Sequence, residues 1–96
     1  MIYKYPLQIQ RVQIIDVPRY NHRILSLKVQ RDIPVLYIEC GPTPDSEEKV
    51  KYEIQMRGTG QDAPPLEIID TVMVGPMVWH FFDGGVRHPK PLRSQA

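Results

Sequence analysis

The chain has one cysteine, one tryptophan and two phenylalanines in 96 residues. Cys40 stands alone, so no internal disulfide can form and no cysteine zinc cluster can be built, which suits a reducing compartment. No apolar run approaches the ~20 residues that span a bilayer as a helix. The first fifteen residues are broken by Lys4, Pro6, Gln8, Gln10, Arg11 and Gln13 and do not read as a signal peptide. An excess of either charge is missing too: twelve Lys/Arg stand against eleven Asp/Glu, for a net charge of +1. A nucleic-acid binder of this size is ordinarily far more basic, so bulk nucleic-acid binding is disfavoured and only a local patch stays open. These absences point to a cytoplasmic protein without membrane contact.

Catalytic equipment is equally sparse. Before the C-terminal tail the only serines are Ser26 and Ser46, neither in a nucleophile elbow, and Asp16, Asp32, Asp62, Asp70 and Asp83 are scattered. His22, His80 and His88 show neither the i, i+4 helical spacing nor the clustered carboxylates of a metal site. The sequence therefore predicts no enzyme, no metal and no cofactor. Cys40 is expected to be an inert core thiol, because alternation places it with Leu36 and Ile38.

Proline is what the chain has in quantity. Ten prolines and six glycines interrupt it so often that long helices are excluded. The longest proline-free stretch, 45–63, alternates in its middle: in Lys49-Val50-Lys51-Tyr52-Glu53-Ile54-Gln55-Met56-Arg57 every odd position is polar and every even one apolar. That rhythm is a strand with one wet and one buried face. The same test predicts strands over 23–30, with Leu25, Leu27 and Val29 inward, and over 35–40, with Leu36, Ile38 and Cys40 on one face. The short connection Arg31-Asp32-Ile33-Pro34 makes these two a hairpin. A strand over 10–17 is apolar at Val12, Ile14 and Val17. An early strand over 2–10 is interrupted by Pro6, as suits an edge or a bulge. Strands over 66–74 and 77–82 form a last pair joined through Gly75-Pro76. The latter, Met77-Val78-Trp79-His80-Phe81-Phe82, closes at Asp83-Gly84-Gly85. About seven short strands argue for an all-β fold, a small antiparallel β-sandwich or partly open barrel over residues 1–85. The basic residues 86–96 are expected to form a disordered tail, and 41–48 a mobile loop.

Four groups of residues are candidates for binding. In Arg57-Gly58-Thr59-Gly60 the glycines free backbone N–H groups to face an anion beside a guanidinium and a hydroxyl. No helix follows, so this is neither a Walker loop nor a dinucleotide fingerprint, and a plain glycine turn is the competing reading. Arg19, Tyr20, His22 and Arg23 cluster between two strands, where cationic and aromatic side chains can stack a base and pair with a phosphate, or merely be solvated. Trp79 supplies an aromatic wall. His80 either faces a ligand from the outer side of its strand, beside Val78 and Phe82, or is packed with its ring nitrogens satisfied by backbone.

With those residues on the page, the chain resembles an uncharacterised family of small proteins encoded by bacteriophages and prophages. The resemblance spans roughly residues 3–85. It rests on Lys4-Tyr5-Pro6-Leu7, on Pro18 followed by Ile24-Leu25 and Val29-Gln30, on Pro34-Val35-Leu36-Tyr37, on Gly58-Thr59-Gly60 and on Val78-Trp79-His80-Phe81-Phe82. Members usually carry Gly-Ala after the first proline, where Arg19-Tyr20-Asn21-His22 stands here. The family has no established activity to transfer. The resemblance implies a phage setting, in the cytoplasm of an infected bacterium. Small β proteins without catalytic residues act there by binding. Two roles follow: a counter-defence binder, sequestering a nucleotide-like immune signal or covering a host defence protein, or a structural or assembly component of the virion. Open strand edges make homo-oligomers an expected state.

Overall fold

The structure, a computed structural model, describes residues 1–41 and 48–87. It is all-β, with seven strands in two antiparallel sheets. The strands are β1 (Ile2–Pro6), β2 (Val12–Pro18), β3 (Arg23–Gln30), β4 (Ile33–Glu39), β5 (Lys49–Gly58), β6 (Glu67–Val74) and β7 (Met77–Arg87). One sheet has the order β1-β4-β3 and the other β2-β5-β7-β6. Alternation along the strands turns Leu27, Leu36, Ile38, Cys40, Tyr52, Ile54, Met56 and Phe81 into one core between them, closed by Leu7 and Val17. Each such side chain contributes roughly 1.5–3 kcal/mol on burial.

The chain passes between sheets at both ends of the sandwich, and each passage is pinned by backbone. Residues 7–11 join β1 to β2: Leu7 N donates to Pro34 O in one sheet at 2.8 Å, and Arg11 O accepts from Met56 N in the other at 3.0 Å. At the opposite end Gly41 N donates to Tyr20 O at 2.9 Å, tying the β2–β3 connection to the end of β4. The β3–β4 hairpin turns on Arg31 and Asp32, both with positive φ (53° and 62°), the pairing that a type I′ turn requires.

Several side chains sit differently from the sequence reading, each for a local reason. In β3 the register slips between Ile24 and Ser26, so Leu25 is the extra residue of a bulge. Ile24 takes the inward place and Leu25 is left 38 % exposed. In β2 the inward set is Ile15 and Val17, with Val12 and Ile14 on the open face. Val12, Ile14, Ile15 and Val17 are all apolar and β-branched, with only Gln13 and Asp16 among them, and this hides the phase there. The last strand does not stop at Asp83-Gly84-Gly85. A bulge opposite Glu53 lets β7 continue to Arg87, with Val86 beside Tyr52 and packed on the core, so residues 86 and 87 belong to the sheet and not to a tail. The remaining tail, and the centre of the predicted mobile loop, lie outside the described residues.

The bulge at the end of β7 needs its glycines. A Cβ on Gly84 would lie 2.9 Å from the Glu53 carbonyl oxygen, and Gly85 holds φ +75°. Gly84→Ala is expected to lower the unfolding free energy by about 1–3 kcal/mol in a urea titration, because backbone stands in the way and has to move. A second prediction concerns alkaline pH. Burial pushes the Tyr5 phenol up to about 12 from its ordinary 10.0. Tyr52 is raised further, by burial and by donating to Asp83 Oδ1 at 2.7 Å. Burial also raises the Cys40 thiol. Below the ordinary values both folded and unfolded chains hold these protons; above them only the unfolded chain releases them. Stability is therefore level through neutral pH, begins to fall as pH rises past 9.0, the ordinary thiol value, and falls further past 10.0 towards the folded values. Tyr52→Phe lowers the neutral plateau by about 1 kcal/mol and flattens the alkaline fall, as followed by urea midpoints across pH.

Candidate functional site

Both neighbours of β7 in its sheet, β5 and β6, are antiparallel to it, so they run parallel to each other. β5 ends at Gly58 opposite Trp79, whereas β6 begins at Glu67 opposite Asp83. Residues 59–66 must therefore travel back along the sheet, and they do so as a strap over the outward face of β7. Beneath it Phe82 is only 6 % exposed, on the face that points away from the core.

The strap leaves β5 through a turn of type II geometry. Gln61 N donates to Gly58 O at 3.1 Å, and Gly60 takes φ +97°, a left-handed position that suits glycine alone. Gln61 closes the turn, its Oε1 accepting from Gly58 N at 2.7 Å. Gly58 itself is needed for packing, since a Cβ there would sit 3.2 Å from the Trp79 ring. Between strap and sheet lies a recess of about 230 Å³ lined by Arg57, Gly58, Thr59, Gly60, Gln61, Ala63, His80 and Phe82.

Arg57 and His80 face each other across the β5–β7 ladder. Arg57, on the face that alternation marks as wet, is buried to 7 % exposure. Its Nη1 donates to Met56 O at 2.9 Å and to Arg11 O at 3.2 Å, and its Nη2 to Gln55 Oε1 at 2.8 Å. Nε is buried without a partner. Among the described residues no carboxylate is within ion-pairing distance of this guanidinium. The nearest acid in its hydrogen-bond chain is Glu53, which accepts from Gln55 Nε2 at 2.6 Å and also faces Arg87 Nε at 3.8 Å.

His80 is held by two hydroxyls where backbone partners had been the expected alternative. Nε2 meets Thr59 Oγ1 at 2.9 Å and Nδ1 meets Thr71 Oγ1 at 2.8 Å. In the neutral ring one nitrogen donates and the other accepts, so one threonine accepts a proton while the other offers its own. The ring thus clips the strap to β6. The sequence reading places Phe82 on the outer side of the strand beside His80 but does not reach Thr71 or Gln61. The period-two rhythm that puts His80 outward puts Phe82 there too, but Thr71 is visible only once the β6–β7 register is known.

The remaining candidates lie elsewhere. Trp79 shares β7 with His80 but points the other way, into the core against Val72 and Gly58. Arg19, Tyr20 and Arg23 sit near Lys49, at the far end of β5 from Arg57. Eight residues of strand, roughly 26 Å, separate the two groups. Their charges are also spoken for. Arg19 pairs with Glu48 and lies over the Tyr20 ring, 5.5 Å from its centroid; Arg23 pairs with Glu39 at 2.8 Å. His22 Nε2 contacts Pro18 O at 2.5 Å and its ring meets Tyr52 edge-on. The larger hollow at that end, about 540 Å³, is lined by four cations, of which Arg19, Lys51 and Arg87 are each paired with a carboxylate and Lys49 is not. Cys40 is fully buried. No group of three or more metal-ligating side chains occurs among the described residues.

Of the predicted set, then, Arg57, Gly58, Thr59, Gly60 and His80 come together. A guanidinium, a hydroxyl, a flexible glycine turn and an imidazole surround a space smaller than the roughly 300–1,000 Å³ of drug-sized sites. It is matched to a compact oxyanion, or to one phosphoryl group of a larger molecule. Phe82 is the floor that holds the strap in place. Phe82→Ala is expected to destabilise the fold by about 3 kcal/mol. Hydrogen exchange should speed most at residues 59–66 and least in the β3–β4 hairpin; equal acceleration everywhere would show that the strap is not held locally.

No curated protein and no solved structure matches the chain. A family described as a domain of unknown function, DUF7352, matches residues 1–91. The match covers nearly the whole chain, and the protein belongs to that family.

Proposed function

We propose that the protein is a non-catalytic binder that captures a small anionic ligand through a phosphoryl group seated beneath the strap. One observation carries this reading: Arg57, which lines the recess, is buried, and its guanidinium has no carboxylate partner among the described residues. A buried cation costs several kcal/mol unless it is paired. Three hydrogen bonds to neutral oxygens offset only part of that, and a bound oxyanion supplies the missing countercharge. Thr59, whose hydroxyl is free to donate when it accepts from His80, adds a further polar contact at the rim.

The phage setting implied by the resemblance gives such a binder a use. A nucleotide-derived immune signal carries phosphoryl groups, and holding it stoichiometrically needs no catalytic residue. The recess takes the phosphoryl end, and the rest of such a molecule extends over the open sheet beside it.

Calorimetry with inorganic phosphate, pyrophosphate and a panel of cyclic nucleotides tests the proposal. Binding is expected to be tighter for the nucleotides than for phosphate. Arg57→Leu is expected to abolish binding while leaving the unfolding free energy unchanged or higher, since an apolar side chain removes the buried charge. Absence of heat and of any thermal shift across the whole panel would overturn the reading, as would full affinity in Arg57→Leu.

A further inference from the structure

We infer that the outward face of the β1-β4-β3 sheet is a docking surface for single-stranded nucleic acid, independent of the recess under the strap. Its cations carry the inference. Among the described residues, Arg19, Arg23, Lys51 and Arg87 are each matched by a carboxylate, and Arg57 is buried in hydrogen bonds. Five others, Lys4, Arg11, Lys28, Arg31 and Lys49, have no such partner, and three of the five, Lys4, Lys28 and Arg31, gather on this one face or its edge. Of the acids there, Glu39 is already committed to Arg23, and Asp32 lies on the hairpin turn next to Arg31, outside the hollow.

Between these cations the floor is apolar. Lys4 sits opposite Tyr37 on β4, and Lys28 opposite Val35. Val35 is only 6 % exposed although it points away from the core. A shallow hollow of about 510 Å³ runs over it, lined by Lys4, Pro6, Gln30, Arg31, Ile33 and Val35. Tyr37 is held beside it, its hydroxyl accepting from Gln30 Nε2 at 2.7 Å. Lys4 and Lys28 stand on strands two places apart, about 10 Å across the sheet. One nucleic-acid strand fits between them, with bases on Ile33, 46 % exposed, and Tyr37 and phosphates towards the lysines and Arg31.

The chemistry of a sheet face favours this occupant over an acidic peptide. Backbone donors and acceptors of β4 are consumed in ladders on both sides, so a peptide laid on the face finds none to pair with and would dock at an edge instead. Nucleobases need no such partners; they need flat apolar or aromatic surface, with cations for the backbone. The near-neutral net charge does not oppose this, because pairing elsewhere leaves the face locally basic.

Fluorescence anisotropy of the full chain with a labelled oligothymidylate at about 50 mM salt is the test, with a slope of log K on log salt near −2 expected for three phosphates. Lys4→Glu with Lys28→Glu should weaken binding at least about tenfold, and Tyr37→Ala about tenfold, with circular dichroism showing the fold retained. Arg57→Leu should leave oligonucleotide binding unchanged, which separates this face from the recess. No anisotropy change at low salt, or equal affinity in the double lysine variant, would overturn the inference. So would a labelled polyglutamate that binds as tightly and is indifferent to Tyr37→Ala, an outcome that assigns the face to an acidic protein.

Discussion

Because β5 and β6 run in the same direction on either side of β7, the chain between them cannot close as a hairpin. It has to be carried back across the sheet, and the outward face of β7 is the short way. This one topological demand turns a face that an ordinary sandwich leaves in water into a second, small interior. It buries Phe82, encloses Arg57 and brings Thr59 within hydrogen-bonding distance of His80. The Gly-Thr-Gly run meets the same demand: the chain must reverse sharply as it leaves β5, and Gly60 makes that turn at positive φ.

Arg57 has a structural role here, yet that role does not account for its charge. Nη1 links the strand to the Arg11 carbonyl and so to the β1–β2 connection. A neutral donor such as glutamine can make one such bond without the desolvation of a guanidinium. What arginine adds is a fixed positive charge and a planar fork, in a place from which water is largely excluded. At low effective dielectric a charge interacts more strongly with whatever anion reaches it. Gln55 bridges the guanidinium to the Glu53 carboxylate without bringing the two charges into contact.

Much of this architecture is legible in the chain itself, and what is not has physical causes. Alternation alone places Leu36, Ile38, Cys40, Tyr52, Ile54 and Met56 correctly, because a side chain's face in an undistorted strand depends only on parity. Parity fails at bulges. One extra residue expels Leu25 and admits Ile24, and nothing in the run from Arg23 to Gln30 announces it. β2 misleads differently, since Ile14 and Ile15 are equally apolar and only the partner strand decides which is covered. The burial of Arg57 is invisible for a third reason. It depends on what the fold brings over the strand, the β1–β2 connection at Arg11 and the strap, and not on local composition. Parity also separates Trp79 from His80, which adjacent positions on a strand can never present to one ligand.

Electrostatics in this protein is a matter of arrangement more than of total. A net charge of +1 describes both a surface of evenly mixed signs and one where pairs cancel in some regions and not in others. The second holds for the described residues: carboxylates gather beside Arg19, Arg23, Lys51 and Arg87, around the end where β2 meets the start of β5. Exposed pairs like these add little stability, typically under about 1 kcal/mol each. Their larger effect is subtractive. They silence the cations most numerous on one side and leave the field of the molecule to the few that have no partner. On the proposed readings a ligand bearing phosphates meets attraction under the strap and across the β1-β4-β3 face, and less of it near the Arg19 cluster, where pairing leaves only Lys49 without a carboxylate although the linear sequence concentrates positive and aromatic side chains there.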